Sequence, residues 1–249
     1  MSAVPCLEVI GVGKRYGGLQ VLVDVHLRVA EGARHAILGP NGAGKTTLFK
    51  ILSGETAASS GRVQFRGRDI TGYPPYRRTA LGMARTFQVT SVFPRLTALE
   101  NVLLAIQGTR RDKYDPLRPF HRAGGAVAEA VQMLRDVGLD GREGAPAEEL
   151  AYGEQRQLEI GLALASRPSL LLLDEPTAGL ARAEVSRIVA LLRSLPRAIT
   201  ILFIEHDMDV AFALAEAVTV LSQGRRVTEG SLEAVRANRI VQEIYLGGA

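Results

Sequence analysis

The stretch "LGPNGAGKTTLFKIL", residues 38–52, decides how the rest of the chain is interpreted. Its segment Gly39–Thr46 matches G-x-x-x-x-G-K-[ST], in which glycines let backbone N–H groups curl around phosphate without side-chain clashes. The apolar "HAILG" before it predicts a buried strand, and "KTTLFKILSG" after it predicts a helix that ends on Gly54. Because motif and strand–loop–helix context agree, a phosphate-binding loop is favoured over an ordinary glycine-rich turn.

Each polar group of this loop has a predicted role. Lys45 supplies a positive charge to the outer phosphates of a nucleotide, and the hydroxyl of Thr46 can ligate Mg²⁺. The positive end of the following helix dipole adds to the attraction for phosphate.

A carboxylate pair follows a second apolar strand, in "LLLLDEPTAGL" at residues 170–180. Four leucines predict a strand buried on both faces, with Asp174 and Glu175 emerging at its C-terminal edge, where open α/β sheets bind ligands. A lone Asp-Glu pair at a strand end is usually only solvated. Together with the phosphate loop, it indicates Asp174 in the Mg²⁺ shell and Glu175 polarising a water for attack on the γ-phosphate.

Length, charge and cysteine content limit the classes of protein to which the chain can belong. A chain of 249 residues with 47% hydrophobic content can bury a sizeable core, so disorder is not expected. The net charge of +4 is mild and is interpreted as a solvated basic surface, with nucleic acid or anionic lipid headgroups as the alternatives. Cys6 is the single cysteine, which indicates a reducing compartment. We also expect no signal peptide and no membrane-spanning segment, so a function at a membrane would require a partner protein.

The pattern along the chain predicts an α/β fold with three parts. Alternation at Val23, Val25, Leu27 and Val29 predicts an antiparallel β layer between Cys6 and Phe65. Residues 96–166 predict a lobe of three helices, in "LTALENVLLAIQ", "AVAEAVQMLRDVGL" and "EQRQLEIGLALAS". The segments "SLLLLDE" and "AITILFIEH" with a helix between them indicate βαβ organisation. A hairpin turning at Gln223-Gly224 and a polar helix close the chain.

Nearly the whole chain resembles an ATP-binding subunit of an ABC transporter, because the motifs of that family occur in order. They are "KRYGG", the phosphate loop "GPNGAGKTT", "ARTFQ", the signature "LAYGEQRQ", "LLLLDEPT" and "IEHD". The resemblance implies a P-loop nucleotide-binding core with an antiparallel β subdomain and an inserted helical lobe. It also implies one ABC ATPase domain over 1–249, with core and β subdomain at 1–88 and 167–249 and the helical lobe at about 89–166.

The resemblance further implies a Mg²⁺-dependent ATPase and assigns its residues. Glu175, His206 and Gln88 would be catalytic, and Thr46, Gln88 and Asp174 would hold the metal. His206 would hold the γ-phosphate and the attacking water. The ATP-binding set is Tyr16, which stacks on adenine, Gly39, Pro40, Asn41, Gly42, Ala43, Gly44, Lys45, Thr46 and Thr47, with the signature Ala151, Tyr152, Gly153 and Glu154. From the residues alone, Tyr16 would be a surface aromatic and His206 a satisfied core histidine.

The resemblance also implies partners. Two cassettes would close head to tail on two ATP molecules under transmembrane permeases, at the cytoplasmic face of the inner membrane, with a periplasmic solute-binding protein acting indirectly. The segments "RTFQVTSVFPRLTALENVLLA" and "VQEIYLGG" narrow the likeness to branched-chain amino-acid importers. Uptake of urea, amides or aromatic acids, and an exporter or lipid-transport complex, stay open. A soluble DNA- or ribosome-acting protein is disfavoured, so no nucleic-acid partner is expected.

Two residues depart from the motifs of the family, and one basic segment belongs to none of those motifs. Ala151 stands where the usual signature has serine, and Ala181 stands where an aspartate is usual. The missing groups put a γ-phosphate contact and the coupling between the two ATP sites in doubt. The basic segment "GTRRDKYDPLRPFHRAG", Gly108 to Gly124, is interpreted as a solvated loop, with anionic lipid headgroups as the alternative.

Overall fold

The computed structural model describes residues 4–86, 92–109 and 124–246, and within these ranges it has two β-sheets. The larger sheet is six-stranded with the order β10-β9-β3-β8-β7-β6, and the smaller is four-stranded with the order β2-β1-β4-β5. The larger contains β3 (Arg34–Leu38), β6 (Met83–Arg85), β7 (Leu170–Asp174), β8 (Thr200–Ile204), β9 (Ala217–Ser222) and β10 (Arg225–Gly230). The smaller contains β1 (Leu7–Tyr16), β2 (Leu19–Val29), β4 (Ser60–Phe65) and β5 (Arg68–Asp69).

The larger sheet is parallel except for its last strand. Strands β6, β7, β8, β3 and β9 run in the same direction, and β10 returns antiparallel to β9. Every residue of β3, β7 and β8 is buried, as near-continuous apolar runs predict for strands covered on both faces. The hairpin between β9 and β10 turns at Gln223 and Gly224, with φ of 48° and 73°. Positive φ at both central residues is what a two-residue type I′ turn requires, so the predicted hairpin is confirmed.

The smaller sheet is antiparallel, as predicted, but its inward pattern differs at one point. Val25, Leu27 and Val29 are buried, whereas Val23 is only half-buried and Leu22 takes the core position. Asp24 has a positive φ of 51°, and the register with β1 shifts between Val12 and Lys14. This bulge reverses which side chains face the core in the residues before Asp24. The predicted alternation is therefore right for Val25, Leu27 and Val29 and wrong for Val23.

Helices cover the larger sheet and build the lobe. The first group is α1 (Lys45–Ser53), α2 (Pro75–Ala80), α6 (Arg182–Ser194), α7 (Met208–Leu214), α8 (Leu232–Arg236) and α9 (Arg239–Leu246). The lobe contains α3 (Ala98–Thr109), α4 (Gly124–Asp136) and α5 (Tyr152–Leu164), and these three pack against one another. Helix α1 ends at Gly54, which has a φ of 84° and donates its N–H to Ile51, as predicted. The α/β class with an antiparallel sheet and a helical lobe is confirmed.

None of the helices within the described ranges has the length and apolar character that spanning a bilayer requires.

Candidate functional site

Three strands of the larger sheet end at the same edge and bring distant parts of the sequence together. β3 leads into the phosphate loop, neighbouring β8 is followed by Glu205 and His206, and β7 ends at Asp174. Because carboxyl ends of parallel strands form the ligand crevice of open α/β sheets, this edge is the candidate site.

The phosphate loop has a backbone that requires glycine. Gly39, Gly42 and Gly44 have φ values of 151°, 77° and 97°. A Cβ on Gly44 would lie 2.6 Å from Cδ2 of Leu22, and one on Gly39 would collide with the carbonyl oxygen of Leu221. The glycines therefore permit both the backbone geometry and the close approach of β2 and β9 to the loop.

Lys45 lies back across its own loop. Its Nζ donates to the carbonyl oxygens of Gly39 and Pro40, at 2.6 and 3.0 Å. Burial lowers the pKa of Lys45, and the charges of Glu175 and Asp174 act in the opposite direction. The loop thus holds a positive charge at the N-terminus of α1, where backbone N–H groups also favour an anion.

Asp174 is a buried carboxylate with one oxygen occupied. Its Oδ2 accepts a hydrogen bond from Arg85 at 2.9 Å, and Arg85 also contacts Glu55 at 2.6 Å and Ser53 at 3.1 Å. Burial raises the pKa of Asp174, although Arg85 acts to lower it. Oδ1 of Asp174 is buried and lacks a hydrogen-bond partner within the described part of the chain.

That orphaned oxygen fits a hard divalent cation. Carboxylate and hydroxyl oxygens are the donors that Mg²⁺ prefers, and Thr46 places a hydroxyl in the first turn of α1. The described residues contain no group of three or more His, Cys, Asp or Glu side chains arranged to hold a metal by themselves. A Mg²⁺ ion that is bound through few protein ligands together with substrate phosphates agrees with both observations.

Glu175 and His206 come together across neighbouring strands. Nδ1 of His206 lies 3.9 Å from Oε1 of Glu175, and the histidine side chain is 57% exposed. His206 is therefore not the satisfied core histidine that the residue pattern alone suggests. Glu175 has a left-handed backbone with a φ of 49°, and its N–H donates to Ile204 at 3.1 Å.

Tyr16 lies at the end of β1 with a residue exposure of 47%. The Nζ of Lys14 is 4.7 Å from the centroid of its ring. An exposed aromatic ring can stack on a planar base.

The signature forms the N-terminus of α5. Ala151 is the N-cap and has no side-chain acceptor, but Glu154 accepts the Ala151 N–H at 2.9 Å and pairs with Arg142. Ala181 begins α6 in the same way, since its N–H donates to Glu184 at 2.9 Å. In both places a glutamate one turn on accepts the N–H of the N-cap residue, which is one half of a capping box. The other half is missing, because alanine has no side-chain acceptor for the N–H groups of the first turn.

The signature also touches the loop that follows Glu175. The hydroxyl of Tyr152 donates to the carbonyl oxygen of Ala178 at 3.4 Å, and a Cβ on Gly153 would lie 2.6 Å from Oε1 of Glu184. The helical lobe therefore contacts the core beside the candidate site.

Two residues near the site were missed in the sequence, and two predictions cannot be placed. Arg85 and Glu205 lie inside the quoted motifs "ARTFQ" and "IEHD", but neither residue was given a role, although a carboxylate within the apolar "ILFIEH" was a signal for the second. Gln88 lies outside the described residues, as does the basic segment from 110 to 123.

A glycine-rich loop between a strand and a helix, with carboxylates at the end of a neighbouring strand, defines a P-loop nucleotide-binding protein. The ABC transporter family model matches residues 22–178. The chain belongs to this family and is an ATP-binding cassette.

Several relatives match over nearly the full length. The branched-chain amino acid transport ATP-binding protein BraF of Pseudomonas aeruginosa is 36% identical, covering 98% of this chain and 99% of the relative. LivG of Escherichia coli is also 36% identical, with coverage of 98% and 99%. An ATP-binding cassette of an ABC transporter solved in its ADP conformation has a TM-score of 0.86 at 30% identity, covering 98% and 99% of the two chains. A dimeric cassette bound to ADP and Pi has a TM-score of 0.77 at 26% identity, covering 91% and 98%.

Proposed function

We propose that this chain is the ATP-hydrolysing subunit of an importer for branched-chain or other hydrophobic amino acids. The observation that carries the proposal is the full-length similarity to BraF and LivG, both named for high-affinity branched-chain amino acid transport. The whole chain, 1–249, acts as one ABC ATPase domain. Substrate choice belongs to partner proteins in this proposal.

The phosphate loop binds ATP. The backbone of Gly39–Thr47 surrounds the phosphates, Lys45 swings its ammonium from the two loop carbonyls to the outer phosphates, and Tyr16 stacks on adenine. Thr46 and Asp174, with Gln88, would hold Mg²⁺, and Oδ1 is the Asp174 oxygen left without a partner. When bound, the ion would supply positive charge that offsets the negative charge of the nucleotide phosphates.

Glu175 and His206 act on the water that attacks the γ-phosphate. Glu175 orients the water and accepts its proton, while His206 donates a hydrogen bond to the γ-phosphate. Nδ1 of His206 and Oε1 of Glu175 are 3.9 Å apart, which is longer than a hydrogen bond. The two side chains are therefore close neighbours without being paired with each other, and both can contact the same water. Attack breaks the bond between the γ-phosphorus and the bridging oxygen, and ADP leaves with that oxygen.

A second cassette completes each site. Ala151, Tyr152, Gly153 and Glu154 would face the phosphate loop of the partner, where N–H groups of the first turn of α5 serve the γ-phosphate. ATP then holds the pair closed and hydrolysis reopens it.

Permeases would dock at a groove beside the helical lobe. A cavity of about 470 Å³ lies there, and its apolar lining includes Phe93, Leu104, Ala105, Leu162 and Ala163. A helix with an apolar face fits such a groove. The cassette would therefore be peripheral on the cytoplasmic face of the inner membrane, with a periplasmic solute-binding protein acting through the permeases and no nucleic acid involved.

Glu175→Gln tests the proposed chemistry. The amide keeps the shape but is a poor proton acceptor, so we expect ATP turnover to fall by at least about a hundredfold while ATP binding persists. ATP should then trap a closed cassette pair, detectable by sedimentation. Glu243→Gln, an exposed carboxylate on α9, is the matched control and should behave as the parent. Turnover at the parental rate in Glu175→Gln would reject the catalytic role.

The cargo is tested in cells that depend on this importer. Uptake of labelled leucine should stop in a strain that carries Glu175→Gln and continue with Glu243→Gln. Loss of urea, amide or aromatic-acid uptake with leucine uptake intact would reject the proposed substrate class.

A further inference from the structure

Glu205 is a completely buried carboxylate that has no part in the proposed reaction. It lies between the end of β8 and His206, and its exposure is 0%. Burial raises the pKa of Glu205, and hydrogen bonds from Thr177 act to lower it. A buried carboxylate costs free energy unless its contacts repay it, so its contacts indicate what it does.

Those contacts go to the turn that follows the proposed catalytic carboxylate. Oε1 of Glu205 accepts a hydrogen bond from the Thr177 hydroxyl at 2.8 Å and from the Thr177 N–H at 3.3 Å. Thr177 itself is 7% exposed. One carboxylate oxygen therefore fixes both the side chain and the backbone of this residue.

The turn holds Glu175 in a conformation that L-residues avoid. Its φ of 49° lies in the left-handed region, which persists in a non-glycine residue only when neighbouring contacts enforce it. The N–H of Glu175 donates to Ile204, and the N–H of Ala178 donates back to Glu175, each at 3.1 Å. Side chains hold the same turn through the two bonds from Thr177 to Glu205, at 3.3 and 2.8 Å, and through the longer bond of 3.4 Å from the Tyr152 hydroxyl to Ala178.

We infer that Glu205 is a positioning residue that, through Thr177, sets the direction of the Glu175 side chain relative to His206. Glu205 directly precedes His206 in the chain, and its side chain bonds Thr177 in the turn that carries Glu175. Glu205 therefore joins the two segments whose side chains face the attacking water. This inference rests on the proposed function, in which Glu175 and His206 act on that water.

The expected defect is confined to the chemical step. The Thr177 hydroxyl donates to Glu205, whereas the ammonium of Lys45 is held by carbonyl oxygens of the phosphate loop itself. Loss of the Thr177 hydroxyl should therefore misdirect Glu175 without disturbing nucleotide binding. Small misplacement of a catalytic group lowers kcat strongly, while KM reflects contacts made elsewhere.

The experiment compares Thr177→Val, Thr177→Ser and Glu205→Ala with the parent in the assembled transporter. We expect Thr177→Val to lower kcat by about tenfold with KM for ATP within about twofold, because a small shift of the catalytic group is costly. Thr177→Ser keeps the hydroxyl and should recover most of kcat. Glu205→Ala should lower kcat at least as much as Thr177→Val.

Thr219→Val is the matched control. The hydroxyl of Thr219 is also buried in the larger sheet, where it lies 2.8 Å from Nε2 of His35, away from the turn. It should lower thermal stability and leave kcat unchanged. If Glu205→Ala fails to fold, Thr177→Val and Thr177→Ser still decide the matter.

Three results would overturn the positioning role: equal kcat losses in Thr177→Val and Thr219→Val, a raised KM with unchanged kcat, or no recovery in Thr177→Ser. Glu175→Gln, measured alongside, separates the two proposals. A stalled Glu175→Gln with a fully active Thr177→Val rejects only the role of Glu205, whereas an active Glu175→Gln rejects the proposed function.

Discussion

Lys45 shows how a single charge is prepared for its ligand. The residue as a whole is 6% exposed, and its ammonium group donates to two carbonyl oxygens of its own loop. These carbonyl contacts are neutral, so a phosphate is a stronger partner and can draw the ammonium away.

We expect Lys45→Ala to weaken MgATP binding by about 10- to 100-fold, since a hydrogen bond to a charged group contributes about 1.5–3 kcal/mol. Isothermal titration calorimetry measures the affinity. Lys50→Ala, an exposed lysine in the last turn of the same helix, is the control and should bind as the parent does. Affinity within twofold of the parent in Lys45→Ala would contradict the phosphate role.

His35 is a buried titratable residue outside the candidate site. It is 2% exposed, and desolvation lowers its pKa from 6.5 to about 4. The unfolded chain therefore takes up a proton at a higher pH than the folded protein does. The stability from neutral His35 is fully present above pH 6.5 and is lost as the pH falls to about 4.

Urea unfolding at a series of pH values tests this linkage. The shift corresponds to about 3 kcal/mol of unfolding free energy across that range. His35→Gln should be less stable at neutral pH but should show a correspondingly smaller loss on acidification. An identical slope in His35→Gln and the parent would contradict the assignment.

At the scale of elements, α1 is fixed at both ends. The phosphate loop holds its N-terminus, and Arg78 of α2 caps its C-terminus by donating to Ile51 and Leu52 at 2.8 and 2.7 Å. The same guanidinium donates to Tyr73 and Thr71, and Arg78 is 2% exposed. One buried cation thus joins α1 to the segment that leads into α2.

Arg78→Met should lower the free energy of unfolding by at least about 3 kcal/mol, because several buried carbonyl groups lose a charged donor. Chemical denaturation measures the change. Arg77→Met alters the exposed neighbour on the same helix and should have an effect below about 0.5 kcal/mol. Equal stabilities of the two variants would show that Arg78 does not cap α1.

At the scale of the whole molecule, the groove beside the lobe, which we propose as the docking surface for permeases, adjoins the nucleotide site. Arg85, which bonds Asp174, also lines the groove with Phe93 and Leu104. Phe93 is 58% exposed and lines this apolar groove, so its ring is available as an anchor for a partner.

Phe93→Asp should reduce both copurification with the permeases and solute uptake, because a charge replaces an apolar anchor at the proposed interface. Thermal unfolding should stay close to the parental value. Tyr76→Asp is the control, since Tyr76 is an exposed aromatic on α2, away from the groove lining. Parental uptake by a folded Phe93→Asp would place docking elsewhere.

The sequence by itself determined the features that depend on neighbours in the chain. The phosphate loop, the buried strand that precedes it, the end of α1 at Gly54 and the turn at Gln223-Gly224 follow from local geometry and periodicity. Asp174 and Glu175 followed from their place after a second apolar strand, and the resemblance by ordered motifs added His206 to the same candidate site. These predictions required no knowledge of which distant segments meet.

Only the tertiary structure decided the contacts between segments. The bonds from Arg85 to Asp174 and from Thr177 to Glu205 join residues separated by 89 and 28 positions. The bulge at Asp24 exchanges Leu22 for Val23 in the core. Periodicity cannot predict these contacts, because pairing of parallel strands and register shifts are settled by packing of the whole core. The sequence therefore specified the chemical groups, and the convergence of β3, β7 and β8 specified how they are held.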